Sequence, residues 1–242
     1  MTRRRWIADS ATDTTASLLG PQAEHLARVL RAQPGTEADI VANGRVYHAS
    51  ITDVSLAEVR FQLLAELTAE PALPITLVLA VFKFDRMEWA IEKATELGAA
   101  TIVPVIARRT EKHLAQAAEK RVERWRRIAH EAAQQSRRTD IPTIAEPITL
   151  PKYLAIESTT QRILLAEDER KTTLRQRIDA AVQTAQSNLP DFELAIGPEG
   201  GWTSEELALF TRHNWQPATL GPRILRAETA AIAAVSITAA LL

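Results

Sequence analysis

The sequence of 242 residues contains no cysteine. It therefore cannot form disulfides, use a thiolate nucleophile or bind zinc through cysteine, and its composition suits a reducing compartment. The five histidines lack the His-Glu-x-x-His spacing of a zinc hydrolase, so we expect no metal. These absences exclude thiol chemistry and argue against metal-dependent hydrolysis.

Signatures of nucleotide binding and of membrane insertion are also missing. Gly-x-Gly-x-x-Gly occurs nowhere, and no Lys-Ser/Thr pair follows Gly200 and Gly201 as in a P-loop, which disfavours a nucleotide hydrolase. The longest apolar stretch, residues 230–242, is shorter than the roughly 20 residues that cross a bilayer. Because no apolar signal-peptide core follows the basic residues 1–6, we expect a cytoplasmic protein without a membrane partner.

The net charge of −1 hides an uneven distribution. Residues 108–138 contain ten Lys/Arg against four Asp/Glu, and residues 1–31 contain five against three. The rest of the chain is therefore acidic. Concentrating basic residues in two segments indicates a face that binds a polyanion.

The pattern of residues changes near position 70. Before it, short β-like segments predominate, with a hairpin signal at Asn43-Gly44 and one helical insert over residues 22–30. Residues 1–70 are thus expected to form a small β-barrel or sandwich. Two prolines mark residues 71–74 as a linker.

Residues 75–242 alternate between apolar strands and amphipathic helices. This alternation predicts an α/β domain with a mostly parallel sheet covered by helices on both sides. The expected strands are 75–82, 101–107 and 162–166, and the expected helices are 85–97, 115–138 and 172–185. Residues 230–242 form a helix that is apolar nearly all round, which predicts burial in the core or against a second copy.

Two glycine- and proline-containing loops follow the last strands. The run 192–196 ends at Gly197 and Pro198, with Thr203 or Ser204 as a helix cap, and the run 217–220 ends at Gly221. Glycines let the backbone approach a ligand closely, and adjacent loops at strand ends form one crevice. The alternative is that these residues only make turns.

Five stretches together resemble the bacterial 16S ribosomal RNA (uracil-N3) methyltransferases, a branch of the trefoil-knot (SPOUT) superfamily. They are His25 to Arg31, Met87-Glu88 with Lys93 to Gly98, Gln135 to Arg138, Ile196 to Gly201 and Leu220 to Thr229. They extend over nearly the whole chain. At the position where the family usually has an acidic residue before Gln-Ser, this sequence has Gln134.

The resemblance implies a fold and partners that periodicity does not show. It implies a PUA-like RNA-binding barrel at 1–70 and an S-adenosylmethionine-dependent α/β domain with a deep trefoil knot at 75–242. It also implies a homodimer that methylates N3 of a uridine in 16S rRNA or the small ribosomal subunit. The competing hypothesis is a non-catalytic RNA-binding or ribosome-assembly factor with the same two domains.

The resemblance also implies the site residues. Arg226 is assigned to stabilise a carbonyl oxygen of the base, and Glu199 to remove or orient a proton. Glu199 could instead be a solvated turn acid, and Glu228 could simply favour the start of the last helix. The cofactor is expected to contact Ile196, Gly197, Pro198, Glu199, Gly200, Gly201, Leu220, Gly221, Ile224, Leu225, Arg226, Thr229 and Ala230.

Basic residues from both basic segments are expected to contact RNA. As alternatives, the N-terminal arginines could be a solvated chain end, and Arg86 could form a surface ion pair with Glu88 or a neighbour. The expected contacts are Arg3, Arg4, Arg5, His25, Arg28, Arg31, Lys83, Arg86, Arg137 and Arg138.

Overall fold

The structure, a computed structural model, describes residues 5–69, 72–185 and 189–242. The chain divides into two compact units. The first comprises Met1–Pro71 and Ala133–Asp140, and the second comprises Ala72–Ala132 and Ile141–Leu242. A turn from the middle of the chain therefore belongs with the N-terminal unit.

The first unit is a curled, six-stranded sheet of PUA-like, half-barrel type. Its order is β1-β4-β5-β6-β3-β2, and all pairs are antiparallel except β1 with β4. The predicted hairpin at Asn43-Gly44 is confirmed, since both residues have positive φ. The strands are β1 (Arg5–Ile7), β2 (Ser10–Ala11), β3 (Thr15–Leu19), β4 (Glu37–Ala42), β5 (Arg45–Val54) and β6 (Glu58–Leu67).

One helical insert connects β3 to β4, as the sequence predicts. It begins as α1 (Gly20–Glu24) and continues as a π-helix, His25–Val29. Ala23 and Leu26 from this insert pack with Trp6 and Phe61 in the core of the unit. The insert is thus fixed to the sheet by apolar burial.

The second unit contains a seven-stranded sheet in which every pair is parallel, which confirms the predicted α/β class. The order is β10-β8-β7-β12-β11-β13, with β9 beside β8. The strands are β7 (Leu73–Ala80), β8 (Ala99–Ile106), β9 (Thr143–Ile144), β10 (Ile148–Thr149), β11 (Gln161–Leu165), β12 (Phe192–Ile196) and β13 (Gln216–Ala218). The deep knot stays a prediction of the resemblance.

Two expected segments differ from the structure in more than their exact end residues. Leu73 and Pro74, expected in the linker 71–74, belong to β7, while residue 71 lies outside the described residues. The long helix expected over 115–138 is α3 (Lys112–Ala117), a 3₁₀ turn and α4 (Val122–Gln135). It ends early because Arg137 adopts φ 61°, a left-handed conformation that terminates helices.

Helices cover both faces of the parallel sheet. On β7, Leu77 and Leu79 pack on one side, and Val78 and Ala80 on the other, as the alternation of a strand requires. The first side is covered by α2 (Phe84–Glu96), α4, α6 (Leu174–Thr184) and α8 (Ala227–Leu241), and the second by α5 (Leu150–Leu154) and α7 (Ser204–Arg212).

The apolar C-terminal helix α8 lies in this core. Ala231, Ala234 and Val235 are buried in it, and Ile237 packs against it. Burial in the core therefore explains the apolar residues on one side of α8. Within the described part of the chain, no helix has the length and apolar character needed to cross a bilayer.

Candidate functional site

A cavity of about 600 Å³ opens at the carboxyl ends of β11, β12 and β13. Three loops line it, those that follow these strands, together with Arg86 and Arg109. Ligands of parallel α/β sheets bind at this edge, because the loops after neighbouring strands meet there. The cavity lies entirely in the second unit and has the volume of a small-molecule site.

The loop after β12 needs its glycines. A Cβ at Gly197 would lie 3.2 Å from Nε1 of Trp202, and a Cβ at Gly200 would lie 3.3 Å from Cδ of Arg109. Gly201 has φ +70°, which other residues rarely adopt. A side chain at Gly197 or Gly200 would therefore have to displace Trp202 or Arg109 by a few tenths of an ångström.

A capping box fixes the end of this loop to α7. Thr203 Oγ1 accepts the Glu206 N–H at 3.2 Å, and Glu206 Oε2 accepts the Thr203 N–H at 2.8 Å. Glu206 is 3% exposed, and its Oε1 accepts the Arg108 N–H at 2.7 Å. One buried carboxylate therefore ties the loop after β8 to the start of α7.

Arg109, which follows β8, makes a second tie. Its Nη1 donates to the Gly200 carbonyl at 2.5 Å and lies 3.4 Å from the Trp202 carbonyl. Arg109 was not predicted from the sequence, because nothing in its local motif distinguishes it from the other basic residues nearby. Its position just after β8, a strand of the parallel sheet that carries the cavity, could have indicated Arg109 as a site residue.

Charged side chains meet at the side of the cavity where α2 and α8 begin. Arg86 Nη1 donates to Glu199 Oε1 at 2.5 Å, and Lys83 Nζ lies 4.0 Å from Glu199 Oε2. Arg86 Nε lies 3.9 Å from Glu228 Oε1. Arg86 thus forms its ion pair with a neighbour other than Glu88, and Glu199, an exposed acid in a turn, has Arg86 as its partner.

Glu88 instead belongs to an ion pair on the helical layer. It accepts two hydrogen bonds from Arg124, at 2.6 and 2.8 Å. This pairing leaves Arg86 to the carboxylates of the cavity.

The structure brings nearly all residues predicted to bind cofactor to one cavity. Thr229 differs, because it is exposed on the first turn of α8 and does not line the cavity. Ile224 is 72% exposed, which is unusual for a large apolar side chain and suits contact with a ligand. The lining residues from the prediction are Ile196, Gly197, Pro198, Glu199, Gly200, Gly201, Leu220, Gly221, Ile224, Leu225, Arg226 and Ala230.

The loop after β11 also lines the cavity and was missed. It contributes Ala166, Glu167, Asp168 and Arg170, next to Leu165 at the end of β11. Strand 162–166 was predicted, but its place beside β12 could not be inferred from periodicity. Next to these residues, the backbone N–H groups of Thr172 and Lys171 lower the pKa of Glu169 and so fix the end of the loop.

Several residues predicted to bind RNA lie in the first unit. Arg28 is exposed and pairs with Glu24, and Arg31 is exposed. Arg5 Nη1 donates to the Arg137 carbonyl at 2.6 Å. The ring of His25 packs near Trp6, with centroids 6.1 Å apart. Arg3 and Arg4 lie outside the described residues.

The RNA-contact prediction for Arg138 does not fit its environment. Its side chain is 8% exposed and forms an ion pair with Asp140. We therefore assign it a structural role in the turn 133–140. In the same turn, Gln134 Nε2 donates to Gln22 Oε1 at 2.9 Å, so Gln134 makes an uncharged contact with the helical insert.

A second buried carboxylate lies at the opposite end of β12. Glu193 accepts hydrogen bonds from Tyr153, Ser158 and Thr160 at 2.8–3.0 Å, and Arg162 Nε lies 3.3 Å away. Burial, and then the charge of Glu193, raise the pKa of Tyr153 well above its usual value. This network stabilises the sheet away from the cavity.

Family comparison places this site in a known class. A sequence model of the family described as "RNA methyltransferase domain" matches residues 69–239. The range includes the whole parallel sheet and all three cavity loops, so the class is that of RNA methyltransferases. Among the described residues, no cluster of three or more His, Cys, Asp or Glu side chains could hold a metal ion.

Individual relatives narrow the class. The chain is 37% identical to the ribosomal RNA small subunit methyltransferase E of Synechocystis sp., over 95% of this chain and 74% of the relative. It is 32% identical to the Bacillus subtilis protein of the same name, over 92% of this chain and 88% of the relative. The chain belongs to the ribosomal RNA small subunit methyltransferase E family.

Solved structures agree with this assignment. A ribosomal RNA small subunit methyltransferase E from Neisseria gonorrhoeae, bound to S-adenosylmethionine, has a TM-score of 0.82 at 28% identity, over 97% of this chain and 95% of the other. A Legionella pneumophila protein, solved with bound S-adenosylmethionine, has a TM-score of 0.83 at 29% identity, over 99% and 98%. Both relatives share nearly the full length of the fold.

Proposed function

We propose that the protein transfers a methyl group from S-adenosylmethionine to N3 of a uridine in 16S rRNA. The observation that carries this is the cavity of about 600 Å³, formed by the glycine loop after β12 and the loop before α8, in a chain of this family. The predicted motif residues line the cavity. The N3 position comes from the family resemblance of these motifs.

The cavity fits the parts of S-adenosylmethionine. Apolar Ile196, Leu220, Ile224 and Leu225 can enclose an adenine ring, while the backbone around Gly200 leaves room for close approach. Glu167 and Asp168, on the loop after β11, place carboxylates in the same cavity, where they suit the hydroxyl groups of a ribose.

The chemistry demands alignment and charge control. The cofactor, when bound, supplies an electrophilic sulfonium methyl group. The protein must align the acceptor nitrogen with the methyl–sulfur axis and stabilise the charge that develops as N3 loses its proton. Arg226 and Glu199 line the cavity, and their catalytic assignments stay predictions.

The partners follow from this function. Exposed Arg28 and Arg31 on the PUA-like unit provide positive charge for RNA phosphates. We also propose a homodimer, supported by the apolar surface that α8 has beyond its core-facing side, and a cytoplasmic location, where ribosomal subunits are assembled.

Replacing Gly200 by Val tests the cofactor site. The branched side chain meets Arg109 and enters the cavity, so we expect S-adenosylmethionine affinity to fall at least tenfold, or about 1.4 kcal/mol, by calorimetry. Ala185→Val, at an exposed position after α6, is the matched control. Unchanged affinity in Gly200→Val would show that the cofactor binds elsewhere.

Methylation itself separates the enzyme from a non-catalytic RNA-binding or assembly factor. Purified protein, S-adenosylmethionine and 16S rRNA or small subunits should yield 3-methyluridine in nucleoside mass spectrometry. RNA binding without cofactor binding or methyl transfer would support the assembly factor.

A further inference from the structure

Arg86 is a cation that carboxylates hold at the cavity. It lies in the first turn of α2, and its guanidinium faces two carboxylates, Glu199 in the loop after β12 at 2.5 Å and Glu228 in the first turn of α8 at 3.9 Å. The side chain remains 31% exposed and lines the cavity. A guanidinium carries five N–H donors, so these contacts leave donors for a ligand.

Glu228 is more than an acidic residue at a helix start. Its side chain is 5% exposed, and among the described residues its Oε2 is buried without a hydrogen-bond partner. A buried carboxylate is costly without a nearby cation. Arg86 is the cation that lies beside Glu228, so we explain the buried position of Glu228 by its role in holding Arg86.

Arg226 contrasts with Arg86. It is exposed, its backbone carbonyl accepts the Ala230 N–H at the start of α8, and in the described part of the chain no carboxylate forms an ion pair with it. Charge that is already fixed stabilises a transition state more than charge that must reorganise during the reaction. Arg86 therefore fits the electrostatic task better than Arg226.

We propose that Arg86 donates to a carbonyl oxygen next to N3 of the target uracil, with Glu228 as its positioning residue. In the transfer, the N3–H and methyl–sulfur bonds break, and the N3–methyl bond forms. The proton passes to solvent, and the sulfonium becomes a neutral thioether. While N3 is deprotonated, negative charge spreads to its flanking carbonyl oxygens, where the guanidinium stabilises it. This inference rests on the proposed function.

Single-turnover methyl transfer to 16S rRNA at saturating cofactor tests the proposal. Arg86→Ala should slow transfer by about 10²- to 10³-fold, as for loss of one oxyanion donor, and change S-adenosylmethionine affinity less than about threefold, or 0.7 kcal/mol. Arg226→Ala should have a smaller effect. Arg175→Ala, which removes an exposed arginine paired with Asp179, is the control.

Two further readouts separate chemistry from structure. Millimolar methylguanidinium should partly restore the rate of Arg86→Ala, and the apparent pKa of its pH–rate profile should rise because the anionic base is less stabilised. Glu228→Gln should slow transfer about tenfold, and the double variant with Arg86→Ala should be no slower than Arg86→Ala alone.

The outcomes are distinct. If the wild type makes no 3-methyluridine, the proposed function fails. If the wild type is active and Arg86→Ala transfers at a similar rate, or if the Glu228 and Arg86 effects add, the inference is overturned. The double variant removes both charges and leaves no unpaired buried anion, so it tests the role of Arg86 even if Arg86→Ala is unstable.

Discussion

Glu206 should stabilise the fold and the cofactor site together. It accepts the N–H groups of Arg108 at 2.7 Å and Thr203 at 2.8 Å, and it is 3% exposed. Hydrogen bonds to a charged group contribute roughly 1.5–3 kcal/mol each. Because water can reach both N–H groups once the side chain is gone, we expect Glu206→Ala to cost about 3 kcal/mol, the lower end for two bonds.

The same change should weaken cofactor binding. Glu206 ties the loop that carries Arg109 to the start of α7, and Arg109 in turn holds the Gly200 carbonyl. We expect S-adenosylmethionine affinity to fall at least tenfold, or about 1.4 kcal/mol. Urea unfolding followed by tryptophan fluorescence gives the stability, and calorimetry gives the affinity.

Glu193 provides the matched comparison, as a buried carboxylate of β12 at the end away from the cavity. Glu193→Ala leaves the buried Arg162 side chain without its carboxylate partner and should cost about 3–5 kcal/mol. Cofactor affinity should nevertheless stay near the wild-type value under conditions where the variant is folded. Equal losses of affinity in the two variants, or wild-type affinity in Glu206→Ala, would refute a local role for Glu206.

Three further predictions concern the rest of the molecule. Burial raises the pKa of Tyr153, so the folded state keeps a proton that the unfolded chain loses near pH 10. The free energy of unfolding should therefore fall above that pH, by up to about 1.4 kcal/mol per pH unit. The fall should be less steep in Tyr153→Phe, which denaturation at pH 9–11 would show. If the chain neutralises about five phosphates, the logarithm of the RNA-binding constant should fall with the logarithm of salt concentration with a slope of roughly −3.5 to −4.5. Replacing Arg28 and Arg31 by Ala should reduce the size of this slope by about 1.4–1.8. An unchanged slope would mean that the two arginines do not contact phosphates. Ile232 lies about 140° around α8 from Ile237, which packs against the core. If the apolar surface of α8 forms the homodimer, Ile232→Glu should sediment as a monomer. A wild type that is monomeric at micromolar concentration would reject the dimer.

Local patterns in the sequence were enough for much of the fold. The positive φ at both Asn43 and Gly44 follows from the preference of a two-residue hairpin. The unbroken apolar run at the start of the second unit predicts a strand buried on both faces, and β7 is such a strand. These features depend on neighbouring residues, which periodicity and turn chemistry describe well.

Strand order depends on distant pairings and was beyond these patterns. The cavity loop after β11 was missed because its position requires β11 to pair with β12 and β13, which lie well downstream in the sequence. The low exposure of Arg138 was not predicted either, because a charged side chain usually stays in water, whereas this one pairs with Asp140 and is 8% exposed. The strand pairing is a tertiary interaction, whereas the Arg138–Asp140 pair joins residues only two positions apart.

The charged cluster shows how the sheet creates the site. Arg86 and Glu199 are 113 positions apart in sequence. The register of β12 against β7 aligns Ile196 with Leu79, so the loops that follow the two strands start at one edge. The α8 helix contacts both strands and begins near the same place, which brings Glu228 to Arg86. Strand pairing thus assembles three charges that no local motif contains, and their spacing can be tested through Arg86.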